Sequence, residues 1–323
     1  MEAYGRVRRD IPFIGALILA ALAALSTRIS GTLAAAYKAR VFLPVSSALR
    51  RLSASPASAA LMAIGLIILL AVCLRPRGRK RRAARMLSVC LALYWLLWAP
   101  LYSVPALPDA PLSSDALHKL CLKLSAEADA LLSFAGEMSA DEMMAEAERL
   151  TSALTGEALA LSRRDVTALF DRAGLAGLYI PLTGTAHVNL NDQAYMLPFT
   201  MCHELAHQAG YAREDEANYI AYRACMSGNA AFRSSGGFNM LLYAMNTLYE
   251  IDRPAWRQCV NGMSDPLFFR FARCNGLYTA RQTLPYRLSQ MFSALFLRMN
   301  GQTQGAQSYE NAVRLLLAEE SAA

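Results

Sequence analysis

His203-Glu204-Leu205-Ala206-His207 places two imidazoles four residues apart with a carboxylate beside the first. On a helix, residues at i and i+4 share a face, so both rings can reach one tetrahedral ion. Glu204 then lies about 100° around the helix. That is close enough to touch a water on the ion without binding the ion itself. An ion so held lowers the pKa of its water to roughly 7, and the carboxylate takes the proton as hydroxide attacks a peptide carbonyl. Such a pattern arises by chance on the order of once in several hundred sequences with this few histidines, and the chain has only 4. The expected roles are therefore His203 and His207 as Zn2+ ligands and Glu204 as general base.

A third protein ligand is required, and Arg213-Glu214-Asp215-Glu216-Ala217-Asn218 follows Gly210 at the start of another helix. The metzincin third ligand would fall on Arg213, which excludes that class. The stretch resembles the glutamate helix of gluzincins, whose pattern is ExxAD. The resemblance gives Glu214 the ligand place, matches Ala217, and puts Asn218 where Asp is usual. Glu216 is the other candidate. The two carboxylates point about 200° apart on a helix, so only one can face the motif. Glu214 has the polar Asn218 as its i+4 neighbour, able to orient His203 or His207, whereas Glu216 has the apolar Ile220. Acidic residues also suit a helix N-terminus for its dipole alone.

The elements that must position these groups are legible from local signals. Pro198 fits the first turn of a helix reaching about Ala209, and Gly210 stops it. Ahead of it, Leu178-Tyr179-Ile180, a Pro-Leu-Thr-Gly turn and His187-Val188-Asn189-Leu190 read as a short hairpin or edge strand. His187 on that strand invites use as a ligand or oxyanion donor, against the plainer reading of a solvent-facing residue. Ser139 with Glu142 forms a capping box before Met143–Leu154, and Ser162 with Asp165 a similar start before Val166–Ala173. Further helices are expected near 214–227, 237–250, 254–262, 280–299 and 308–320. His118 reads as a surface residue, and Tyr243, Asn246 and Tyr249 as a core stripe. The expected fold is mainly α, an α+β zincin-like catalytic domain with one short hairpin.

Composition adds a second part. The 323 residues are 55% apolar, and no Asp or Glu occurs between Ile11 and Pro105. Residues 1–104 carry 15 Lys/Arg against 2 acids, and residues 105–323 carry 17 against 23. Three apolar runs, about 11–27, 57–74 and 86–104, are long enough to be transmembrane helices, although the first also fits a signal peptide. The expected organisation is a membrane anchor over 1–104 and a catalytic domain over 105–323. The loop Arg75–Arg85 holds 7 basic residues, which places it in the cytoplasm and the catalytic domain on the extracytoplasmic side of a multi-pass cell-membrane protein. The basic charge then meets the lipid bilayer rather than nucleic acid. The 7 cysteines form no CxxC spacing and imply no metal cluster.

The chain resembles the membrane family catalogued as domain of unknown function 3810, a zincin-like set. The likeness rests on Gly177–Gly184 with Ala186, Val188 and Asn189, on His203–His207 with Gln208, Gly210 and Tyr211, on Glu214–Tyr219, and on Asn300-Gly301 through Gly305 to Ser308-Tyr309. It implies a membrane-anchored metallopeptidase acting on a peptide or protein substrate. The competing reading is a non-enzymatic membrane sensor or assembly protein with a structural or unused zinc site, which the intact Glu204 argues against. A protease cutting within the membrane would need the motif inside an apolar span, and the polar residues on both sides leave too short a run.

Overall fold

The computed structural model describes residues 30–55, 78–134, 138–276 and 305–322, with short helical stretches such as 67–71 and 284–288 and single helical positions elsewhere. The chain divides into two compact units, Met1–Pro105 together with Ile180–Thr185, and Ala106–Tyr179 together with Ala186–Ala323.

The first unit holds α1 (Gly31–Tyr37), a π turn (Lys38–Phe42), α2 (Leu43–Ala54) and α3 (Arg79–Leu97). The Ser30 hydroxyl caps α1 by accepting from the Leu33 amide at 3.3 Å, the favoured device at a helix start. Residues 31–54, between the first and second apolar runs, are thus helical. The turn Ile180–Thr185 belongs to this unit, and Ser53 Oγ donates to the Thr183 carbonyl at 3.2 Å.

The three transmembrane helices expected from the apolar runs are not supported. No helix among the described residues is long and apolar enough to cross a membrane. The third run shows the physical reason. Its helix, α3, begins at Arg79, so Arg79, Lys80, Arg81, Arg82 and Arg85 lie on the helix itself. The apolar remainder from Met86 to Leu97 is only about 18 Å long at 1.5 Å per residue, against a hydrocarbon core of about 30 Å. At Trp98 the backbone leaves the helical region (φ −143°, ψ −51°), and Ala99–Ser103, with Pro100 in its first turn, forms a 3-10 helix. The first and second runs, with the signal-peptide alternative, fall largely outside the described residues, and the orientation inferred from the basic loop loses its support with the spans.

The second unit is a helical assembly: α4 (Ser114–Ala130), α5 (Ala140–Thr155), α6 (Thr167–Ala173), then β1 (Gly177–Ile180) and β2 (Thr185–Val188), then α7 (Leu197–Gln208), α8 (Glu214–Met226), α9 (Ala230–Ile251), α10 (Arg253–Asn261), α11 (Asp265–Gly276) and α12 (Gly305–Ala322). Central α9 packs against α4, α7, α8 and α12. It buries Phe232, Phe238, Met240, Leu241, Met245 and Leu248, and Leu117, Leu120 and Leu124 of α4 and Met201 and Leu205 of α7 are buried as well. Each such side chain contributes roughly 1.5–3 kcal/mol by leaving water. Gly236 lets α9 approach α8, since a Cβ there would lie 2.5 Å from Cys225 Cβ. Cys225 in turn meets Cys202 of α7 as a buried thiol pair, Sγ to Sγ 3.9 Å.

The capping box at Ser139 and Glu142 is complete in both directions. The start of α6 differs from its expected box. Val166 is its N-cap without a side-chain bond, and Asp165 instead accepts from the Thr167 amide at 3.0 Å. The expected 280–299 helix lies largely outside the described residues. Asn246 and Tyr249 are exposed rather than core.

Candidate metal centre

Three segments bring the site together. Helix α7 carries Pro198 in its first turn, where its missing N–H costs nothing. Its inner face is anchored by Met201, Cys202, Leu205 and Ala206, all at 0% exposure. That packing leaves His203 and His207 on the side facing α8. Gly210, at φ +82°, turns the chain in a conformation few other residues adopt, so that α8 can start at Glu214 beside α7. The contact of α7 with α8 is sealed by Ala206, Ala217 and Ile220, with Tyr211 and Tyr219 against them.

His203 Nε2 lies 3.4 Å from Glu214 Oε2, and His207 Nε2 lies 3.6 Å from Glu214 Oε1. One ligand atom from each of the three residues falls within 4.8 Å of the others, the one such group of His, Cys, Asp and Glu among the described residues. The rings stand nearly perpendicular, 4.6 Å between centroids. His207 Nδ1 is 2.7 Å from the Tyr211 carbonyl, which fixes a proton on Nδ1 and leaves Nε2, the nitrogen facing Glu214, as the one that could offer a lone pair to a metal ion. Phe199 stacks beside His203 at 6.4 Å. Glu214 keeps 32% of its side-chain surface exposed while the two rings keep 15% and 10%, so the cluster opens to solvent on the Glu214 side.

Glu216 is employed elsewhere. Its Oε1 accepts from Arg213 Nη1 at 2.9 Å and from the Leu107 amide at 3.0 Å. The structure therefore brings Glu214, not Glu216, to the histidines. Asn218 accepts from the Tyr243 hydroxyl at 3.4 Å; the group that orients His207 is the Tyr211 carbonyl. His187 is buried rather than solvent-facing, and burial together with Arg164 pushes its imidazole below the usual range.

Glu204 is not one of the three converging ligands but interacts electrostatically with all of them. It is buried at 6% exposure, and the Tyr179 amide of β1 donates to its carboxylate. Its Oε2 has no hydrogen-bond partner. Burial raises its carboxyl pKa, outweighing the two imidazoles that favour the charged form. His207 moves the other way from burial. Desolvation opposes its charge, but the Glu214 carboxylate, Glu204 and the Tyr211 carbonyl outweigh this and push it up to about 9. Glu214, which desolvation alone would raise, is held well below the ordinary carboxylate range by His207 and His203.

A pair of imidazole nitrogens and a carboxylate is a zinc donor set. The residues fit such an ion on three counts: the convergence of the donors, the carbonyl that fixes the His207 tautomer, and the unpartnered buried oxygen of Glu204 next to them. Sequence reasoning missed Tyr211, Phe199, Tyr179 and Gly177. Gly177, Tyr179 and Tyr211 stand in stretches that carry the family likeness, and a glycine in a strand marks a close backbone approach.

No curated protein and no solved structure matches the chain. Residues 37–317 match the family model described as protein of unknown function (DUF3810). That match spans most of the chain, which therefore belongs to the DUF3810 family.

Proposed function

We propose that the chain is a zinc-dependent peptidase of the zincin type, with His203, His207 and Glu214 holding the ion and Glu204 as general base. The observation that carries this reading is the convergence of three ligand atoms within 4.8 Å beside a buried carboxylate oxygen that has no partner. A zinc ion bound there would polarise a carbonyl and make water acidic enough to attack near neutral pH. The rest falls to the chain's own groups. The Tyr211 carbonyl holds the His207 ring in one tautomer. The Tyr179 amide holds one side of the Glu204 carboxylate and leaves Oε2 to take the proton of the attacking water and return it to the leaving amine. A purely structural site would have no use for that buried oxygen, whose desolvation is a cost of order 1–3 kcal/mol.

The peptide nature of the substrate is supported by β1. Strand β2 has a neighbour on each side, β1 and the parallel bridge of Leu161 with Ala186. Among the described residues no strand pairs with the outer edge of β1. An extended peptide can add to such an edge through main-chain hydrogen bonds, at positions other than the Tyr179 amide, which Glu204 holds. Glu204→Gln in the full-length protein should retain zinc in a 1:1 ratio and lose hydrolysis of a casein or peptide-library substrate by about 10²-fold to 10⁴-fold. Turnover kept at the wild-type level would remove Glu204 from the reaction.

A further inference from the structure

We propose that Gly177 is a positioning residue: the bare backbone of β1 is the wall against which Glu204 rests, and the lack of a side chain there sets where that carboxylate can stand. The proposal rests on the hydrolytic reading above and adds to it a residue outside the motif. A Cβ at Gly177 would lie 2.5 Å from Glu204 Oε1, 2.6 Å from Cγ and 2.8 Å from Cδ. Such contacts are closer than real Cβ atoms make, so something must shift. The helix cannot be what shifts, because Cys202, Leu205 and Ala206 beside Glu204 are at 0% exposure, and a close-packed interior resists displacement. The Glu204 carboxylate is the far end of a flexible side chain, so turning it is the cheapest relief.

Conformation gives no other reason for glycine here. Among the described residues the glycines with positive φ are Gly78, Gly156, Gly174, Gly184 and Gly210, and Gly177 is not one of them. An alanine is therefore free of backbone strain, and the three atoms its Cβ would meet first all belong to Glu204. Two residues along the strand, the Tyr179 amide donates to the same carboxylate. Since Oε2 has no partner, the amide is received by Oε1, the atom closest to the Gly177 wall. Wall and amide together fix one oxygen and orient the other.

The test uses the full-length protein in four forms: wild type, Gly177→Ala, Glu204→Asp and the double variant. Gly177→Ala should keep zinc at 1:1 and KM within about twofold, while kcat falls by on the order of 10²-fold, the loss expected for a misplacement near 1 Å. In the Glu204→Asp background the carboxylate is withdrawn by one methylene, so adding Gly177→Ala should change kcat by less than about twofold. Wild-type kcat in Gly177→Ala, an equal loss in both backgrounds, or loss of zinc in parallel would overturn the proposal. If the wild-type protein hydrolyses no peptide, the hydrolytic reading fails by itself. The wall is then read from thermal unfolding of Gly177→Ala with and without Glu204→Ala. A destabilisation that vanishes when Glu204 is truncated keeps the contact, and one that persists removes it.

Discussion

The two carboxylates Glu214 and Glu216 lie two residues apart on α8 and so point about 200° apart, and replacing each by alanine should separate their roles. Glu216 is 6% exposed and serves two donors through Oε1, the Leu107 amide at 3.0 Å and Arg213 at 2.9 Å. Alanine at 216 strands the amide, at roughly 1–3 kcal/mol, and breaks a charge-assisted bond of roughly 1.5–3 kcal/mol. Arg213 retains 21% of its side-chain exposure, so water recovers part of the second loss. The net destabilisation is about 3 kcal/mol, which lowers Tm by about 6–12 °C for a unit of this size. Zinc should remain at 1:1. Glu214→Ala should instead weaken zinc binding at least tenfold, a ligand being no less important than the residues that support ligands. Thermal unfolding with and without a chelator, and competition with a fluorescent zinc indicator, measure both. The reasoning fails if Glu216→Ala strips the metal, or if Glu214→Ala binds zinc like the wild type.

Two further outcomes follow from the same geometry. In the metal-free protein the His207 imidazole is raised from 6.5 to about 9, and zinc must displace its proton. Apparent zinc affinity should therefore rise about tenfold per pH unit between pH 7 and 9 and level off above. The metal-free fold should behave oppositely, since a raised pKa contributes stability that is complete below pH 6.5 and lost as pH climbs through about 9. Zinc titrations and unfolding at pH 6 to 10 test both signs, and a flat affinity profile would contradict the pairing of His207 with Glu214. Ser139→Ala removes a complete capping box and should cost about 1 kcal/mol, read as a lower denaturant midpoint at unchanged metal content.

What the sequence makes legible is local. The spacing of His203 and His207, the Pro198 start and the Gly210 stop need only neighbouring residues, and the hairpin turn at Pro181–Gly184 is written in its own residue types. Groups from distant segments were not legible. Nothing near Glu216 announces Leu107, more than a hundred residues away, and Asn218 stands at the right helical spacing to reach a histidine yet meets Tyr243. Helix α9 extends to 22 residues through Gly236 and Gly237, against their propensity, because burial on four neighbouring helices overrides it. Apolar run length misled at Met86–Val104 for a related reason. Hydropathy registers composition, while the start of α3 at Arg79 and its end at Leu97 are set by the basic turns and by the break at Trp98.

The most direct measurement is the metal content of the purified full-length protein, by elemental analysis, together with its hydrolysis of a general peptide substrate, wild type beside His207→Ala. The site described here predicts one zinc per chain and chelator-sensitive hydrolysis in the wild type, with both lost in His207→Ala. A wild-type chain that binds no zinc, or a His207→Ala chain that keeps full activity, would contradict it.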